Sequence, residues 1–475
     1  MNQKEIAAAL QSMGLKKGDK VLLHSSLVSL GTVEGGPDAV IDAFVDVIGK
    51  EGTLLVPVFT ALGVITDTLK KRPGAVISPC PVGTLAAIGA DSETLCRDHW
   101  KAETAHGKDT PFTRLADMNG YVCLLGVDQD RNTTLHGVES LLELPYLNNT
   151  TQTFMTPDGE TVTKTWKYYP GPHRDFIGLD RYFREAGALK ITRIGNAQVR
   201  LIKAKDLFEI GLQLGSKDPA FVLCDNPACA DCVRQRAAIF ADRMEKESFR
   251  LTASSRLAGR YLPEMIENLK EVGIRFIELD YLQGKACAVL PPEKLKAAVD
   301  ELQENGITVS GLRVEVVPDE SAKLIEKAVA AGIKRLIVPL GDAAAVAACA
   351  DGVEIVAYNH IHTAKKAAAA LKELDQKING FCFNPPAFVK AGEMPFLQSY
   401  KIGRFIRKNR QLDIADSRRD GVVTRLAQGN GEIKELISIL RCHNFSGWFT
   451  LGGGVIYPGT LKEAAKDFVH LLDNM

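Results

Sequence analysis

From residue 248 onward the sequence keeps one beat, and that beat leaves few folds open. Apolar runs of strand length recur at 249–252, 275–279, 308–317, 335–340, 354–358, 380–383, 411–414 and 448–451. Between most of them lie stretches with Ala, Leu, Glu and Lys at helical spacing, such as 292–304 and 363–374. Strands alternating with helices bury their apolar faces as βα units around a parallel sheet. Eight such units predict a (β/α)8 TIM barrel. The first half lacks this beat: strand and helix patterns alternate irregularly, with long loops bearing Gly, Thr and Asn. A chain of 475 residues has room for two or three domains. We place the boundary in the polar, helix-forming stretch 241–248. This gives domains 1–245 and 246–475, both of the α/β class.

Charge and hydropathy exclude some partners. Lys+Arg and Asp+Glu stand at 58 each, so there is no basic excess to draw a polyanion, and no nucleic-acid partner is expected. No uninterrupted apolar run approaches the length of a membrane span. The apolar residues Ile6 to Leu10 make too short a run for a secretion leader. A cytoplasmic protein with its 10 cysteines reduced is expected.

The first half carries three blocks with chemical content. The run Lys20 to Leu23 reads as a strand ending in His24-Ser25-Ser26-Leu27, followed by a loop through Gly31, Gly35 and Gly36 and a helix from Pro37. Hydroxyls and backbone N–H groups at such a junction can cradle a ligand. A second strand, Gly52 to Thr60, is ended by Pro57, which cannot donate to a sheet ladder. A third, Tyr121 to Val127, leads through a polar loop to Thr133-Thr134-Leu135-His136-Gly137-Val138-Glu139. Thr133 or Thr134 suits a helix N-cap, which puts His136 in the first turn. Glu139 follows at i+3 on the same face, where a carboxylate can orient an imidazole.

Taken together, His24-Ser25-Ser26-Leu27 with Gly31, Glu51 to Thr60, Asp109-Thr110-Pro111-Phe112, Leu125-Gly126-Val127 with Asn132 to His136 and Glu139, and Ile194-Gly195-Asn196-Ala197 resemble the aminoglycoside 3-N-acetyltransferase family over residues 18–236. The resemblance implies an α/β/α fold, acetyl-CoA as co-substrate, and a small-molecule amine acceptor; we expect an amino sugar or an aminoglycoside-like acceptor. It implies that Ser25, Ser26, Leu27, Val56, Pro57 and Thr60 line the pantetheine arm of coenzyme A. It makes His136 the general base, Glu139 its partner, and Thr133 a donor to the thioester oxygen. Amine attack on a thioester needs a proton sink and a donor to the developing oxyanion, which these residue types supply. In Ser78-Pro79-Cys80-Pro81-Val82-Gly83-Thr84 the chain departs from the family, with Cys80 in place of a His and Thr84 in place of a Ser. Charge over residues 1–240 is nearly balanced, so a polycationic acceptor gains little steering.

Cys224, Cys229 and Cys232 form the one cysteine cluster. Their spacing suits structural zinc, or three of the four thiolates of an iron–sulfur site, or three reduced thiols in a loop. A histidine such as His173 could supply a fourth ligand once the chain folds.

The barrel half resembles the sugar phosphate isomerase/epimerase family on Phe276-Ile277-Glu278-Leu279-Asp280, Gly429-Asn430-Gly431-Glu432-Ile433 and Ser446-Gly447-Trp448-Phe449-Thr450. Active members hold a divalent metal with carboxylates and a His at late strand ends. Here those ends read Tyr358-Asn359-His360, Asn384-Pro385-Pro386, Asp413-Ile414-Ala415-Asp416 and Leu451-Gly452-Gly453-Gly454. No barrel metal is therefore expected, His360, His362, Asp413 and Asp416 being the remaining candidates. The alternatives to acetyl transfer are sugar isomerase or epimerase activity in the barrel and a non-catalytic, sugar-binding two-domain protein.

Overall fold

Side-chain alternation sets the layers of the N-terminal half. Its strands are β1 (Lys20–Ser25), β2 (Thr53–Pro57), β3 (Val76–Ile77), β4 (Leu85–Gly89), β5 (Tyr121–Leu125), β6 (Asn148–Met155), β7 (Thr161–Tyr169), β8 (Leu189–Ile194) and β9 (Ala197–Lys203). Seven of them form one mixed sheet in the order β3-β4-β2-β1-β5-β9-β8, with β2, β1 and β5 parallel at its centre. Successive side chains on a strand point to opposite faces. Val21, Leu23, Leu54, Val56, Cys123, Leu125, Val199 and Leu201 share one core with Ile6 and Leu10 of helix Gln3–Ser12 and Val40, Phe44 and Val47 of helix Gly36–Ile48. Helices Pro111–Asp117, Thr134–Leu141 and Ala204–Lys217 pack among themselves. β6 and β7 form a separate antiparallel hairpin.

The computed structural model describes residues 1–59, 62–169, 173–360 and 362–475. They divide into two units, Met1–Gln235 and Arg236–Met475. The stretch 241–248 is helical as far as Glu245, within the helix Ala230–Glu245. Among the described residues no helix is long and apolar enough to cross a membrane.

In the second unit the strand–helix beat closes on itself. Strands Arg250–Ser254, Phe276–Leu279, Thr308–Arg313, Arg335–Pro339, Glu354–Tyr358, Gly380–Phe383, Asn409–Ile414 and Trp448–Leu451 form a closed parallel barrel, the eighth pairing with the first. The third strand ends at Arg313, short of the expected Val317. Leu251, Ile277, Leu312, Leu336, Ile355, Phe381, Leu412 and Phe449 face outward into one core with the surrounding helices. Alternate residues point inward and fill the interior, Ile337, Val356, Tyr358 and Cys382 as an apolar plug.

Candidate active site

The loop that leaves β1 builds a cavity. Ser26 caps the short helix Leu27–Leu30, its Oγ accepting from Ser29 N at 3.4 Å and from Ser29 Oγ at 2.9 Å. The turn between β8 and β9 braces that helix from outside, Asn196 N donating to Leu30 O at 3.2 Å. Gly126, just after β5, has φ +70°, and a Cβ there would lie 2.7 Å from Ser29 Cβ. Glycine is thus required for β5 to pass this close. The resulting cavity of about 330 Å³ is lined by His24, Ser25, Ser26, Leu27, Pro57, Arg131 and Thr133, among others. Five residues read as binding or catalytic from the sequence therefore meet at one cavity. Val56 does not join them: its side chain is fully buried in the sheet core. Thr60 lies outside the described residues.

His24 is an addition. It stands on β1 one residue before the serines, 4% exposed, and its Nε2 has no hydrogen-bond partner. Burial pushes its imidazole down to about 3. Burial likewise takes His99 to about 4, and His106 well below the ordinary histidine value. The unfolded chain binds protons at these groups below about pH 6.5, while in the folded chain His24 and His99 refuse them until near pH 3 to 4 and burial holds His106 well below its ordinary value. Stability supplied by the neutral imidazoles is therefore complete above pH 6.5 and falls as pH drops through that window. We expect the melting temperature of the N-terminal unit to fall between pH 6.5 and 4, and His24→Leu to flatten that fall. Thermal melts across the series check it, and an equal slope in the variant would contradict it.

The second part of the site is the helix Thr134–Leu141, which starts at the cavity. Thr133 is its N-cap residue but makes no capping bond with its side chain. The i+3 spacing brings His136 Nδ1 to 2.7 Å from Glu139 Oε2. An ionised carboxylate only accepts, so Nδ1 donates in this bond, and Nε2 is the atom that has a lone pair when the ring is neutral. Glu139 is fully buried, and its other oxygen is held by Arg174 Nε. Arg174 itself is 3% exposed at the side chain, lies across the Tyr146 ring and donates through Nη1 to Gln235 Oε1. Gly137 lets this helix press against the His106 segment: a Cβ there would lie 2.7 Å from His106 O. The His106 and His136 rings sit with centroids 5.7 Å apart, and Phe176 stands at 5.0 Å from His136. The departing block packs nearby. A Cβ on Gly83 would lie 3.5 Å from His106 Nε2, and burial pushes the Cys80 thiol up to about 11, so it is no nucleophile at neutral pH.

Two further clusters are polar. His173, Cys224, Cys229 and Cys232 converge, their candidate ligand atoms all within 4.8 Å of one another. In the barrel, Arg313 is fully buried between Glu278 Oε1 and Asp413 Oδ1, each at 2.6 Å. Gln411 Nε2 donates to Glu278 at 2.8 Å and to Asp413 at 3.0 Å, and Asn384 Nδ2 donates to Asp413 Oδ2 at 2.8 Å. A Cβ on Gly453 would come within 2.2 Å of Asp413 Oδ1, so the Gly-rich end of the eighth strand leaves room for this network. Asp416 is taken up by the backbone N–H groups of Ser417, Gly429 and Gly431. His360, His362, Asp413 and Asp416 are not brought together as a ligand set among the described residues.

The family profile described as aminoglycoside 3-N-acetyltransferase matches residues 22–62 and 60–214. Aminoglycoside N(3)-acetyltransferase VII of Streptomyces paromomycinus is 30% identical over 261 residues, covering 44% of this chain and 88% of that protein. The chain belongs to the aminoglycoside 3-N-acetyltransferase family. As a member it is an N-acetyltransferase. Aminoglycoside N(3)-acetyltransferase IV of Salmonella sp is 29% identical over 235 residues, covering 46% of this chain and 89% of the relative. The crystal structure of aminoglycoside acetyltransferase AAC(3)-IVa, apoenzyme, aligns at TM-score 0.45 with 29% identity, over 49% of this chain and 95% of the other. The family match holds the cavity and both members of the His136–Glu139 pair. It ends before the cysteine cluster and the barrel.

Proposed function

We propose that the N-terminal unit transfers an acetyl group from acetyl-CoA to an amine of an amino sugar, free or within an aminoglycoside. The observation that carries this reading is the His136–Glu139 pair on a helix whose N-cap residue, Thr133, lines a cavity with Ser25, Ser26, Leu27 and Pro57. The relatives' names supply the acyl transfer and the class of acceptor. Loop hydroxyls and Pro57 hold the pantetheine arm, and Arg131 at the cavity offers a charge for phosphate. His136 Nε2 takes the proton of the attacking amine, while Glu139 holds the ring and stabilises the imidazolium. The nitrogen lone pair forms the new C–N bond, and Thr133 Oγ donates to the oxygen that becomes negative. The C–S bond then breaks and coenzyme A leaves as the thiol, taking back the proton. The buried Cys80 stays outside this chemistry, so transfer is direct.

A ligand that binds only the folded state raises its stability. Millimolar acetyl-CoA should raise the melting temperature by a few degrees, and a bulky Ser25→Trp in the cavity should remove the rise. A titration with no shift in melting and no heat by calorimetry would refute binding at this cavity.

A further inference from the structure

We propose that His173, Cys224, Cys229 and Cys232 bind one zinc ion, and that this ion fixes the arginine which orients the His136–Glu139 pair. The second clause rests on the acetyl-transfer reading; the first does not.

The distances fit one tetrahedral ion. His173 Nδ1 lies 3.3 Å from Cys232 Sγ and 3.6 Å from Cys229 Sγ, and Cys224 Sγ lies 3.5 Å from Cys232 Sγ. Bond lengths of ~2.3 Å for Zn–S and ~2.0–2.1 Å for Zn–N imply tetrahedral edges of about 3.8 Å for S···S and about 3.6 Å for S···N. The observed edges are those of a closed Cys3His shell needing only a small expansion. They are too short for a two-iron cluster, whose thiolates sit on opposite irons. The chain's other cysteines stand apart from such a grouping: Cys80, Cys96, Cys123, Cys287 and Cys382 are buried, and Cys349 and Cys442 exposed. Soft thiolates with one imidazole in a tetrahedron select zinc among the common divalent ions.

The backbone prepares the shell. Asn226 closes the turn that presents Cys229, its O accepting from Cys229 N and its Oδ1 from Ala228 N, both at 3.0 Å. Cys232 sits in the first turn of helix Ala230–Glu245. Asp231 Oδ2 accepts from His173 N at 3.3 Å, tying the remote fourth ligand to that turn.

From the shell to the dyad the connection is covalent and then hydrogen-bonded. Arg174 follows His173 directly, and its Nη1 donates back to His173 O at 2.9 Å. Gln235, one helical turn after Cys232, donates to the same carbonyl at 3.3 Å and accepts from Arg174 Nη1. Arg174 Nε then holds Glu139, whose other oxygen holds His136. A metal bonded to His173 and Cys232 would pin both residues that fix Arg174. Ligation of this kind orders the segment between the ligands and sets the groups bonded to it. Arg174 is thus a positioning residue for the base.

The full chain, purified from zinc-supplemented cells under reductant and without chelator, should contain one zinc per chain by elemental analysis. Cys229→Ser and Cys232→Ala should each carry less than a tenth of that. Stripping the zinc should lower kcat at least tenfold with little change in KM for acetyl-CoA and move the acid limb of the pH–rate profile, and added zinc should restore both. Wild-type protein with under a tenth of an equivalent of metal, or a disulfide between these cysteines in native protein, would overturn the site. Stripped protein that keeps its kcat and pH profile would overturn the positioning role. Metal content does not depend on turnover, so failure of the acetyl-transfer reading would show itself separately.

Discussion

Replacing His136 with alanine is expected to lower the rate of acetyl transfer by ~10²–10⁴-fold, the usual loss when a general base is removed. The side chain is 23% exposed and its ring is held by Glu139, so the fold loses little when it goes. Melting temperature and acetyl-CoA affinity should stay near those of the wild type. Glu139→Gln keeps the shape but removes the charge that stabilises the imidazolium, and it leaves Arg174 facing a neutral group in a buried site. That variant should lose both rate and stability, since breaking a buried pair strands the other charge. Steady-state kinetics beside thermal melts separate the two cases. A His136→Ala enzyme with near wild-type turnover on a good acceptor would place the base elsewhere.

The second large effect lies in the barrel. Arg313→Met should destabilise the barrel by ~3–5 kcal/mol, the range for removing one partner of a buried ion pair. Its guanidinium separates two fully buried carboxylates, Glu278 and Asp413, which no solvent can reach. Arg335 lies 3.6 Å from Glu278 and is the other buried cation of the group. It leaves Asp413 without a direct cationic partner once Arg313 is lost. Adding Glu278→Gln and Asp413→Asn to Arg313→Met should return most of the stability. Urea unfolding followed at Trp448, on the eighth strand, reads both steps. An unchanged midpoint for Arg313→Met would contradict this account of the interior.

The barrel was legible because its signal is local and repeated. The run 354–358 is apolar and β-branched, and Pro292–Glu304 carries apolar residues at helical spacing between charges. Those patterns survive without knowledge of any partner. The His136–Glu139 pair was legible for the same reason: one helical turn separates its members. Arg174 was not, because it meets Glu139 across 35 residues of sequence, and an arginine bound for burial looks like any surface arginine. The same holds for Arg313, whose partners Glu278 and Asp413 stand 35 and 100 residues away. Val56 went wrong through alternation. A residue next to Pro57 in sequence faces the opposite side of the sheet, so one of the two reaches the cavity and the other the core. The polar hairpin of β6 and β7 gave no apolar alternation strong enough to read. The stretch 241–248 is helical up to Glu245, as expected, within a helix that begins at Ala230.

Acetyl transfer by the N-terminal unit is measured by release of coenzyme A thiol from acetyl-CoA across amine acceptors, paired with mass spectrometry of the product. Thiol release is expected only when acceptor and acetyl-CoA are both present, with one N-acetyl group per thiol, and both signals are expected to be lost in His136→Ala. With near-balanced charge on the N-terminal unit, small amino sugars should lead gentamicin- or kanamycin-class acceptors in kcat/KM, the ratio that measures discrimination. Thiol release that no amino sugar or aminoglycoside raises above the hydrolysis of acetyl-CoA would overturn acetyl transfer to this class of acceptor.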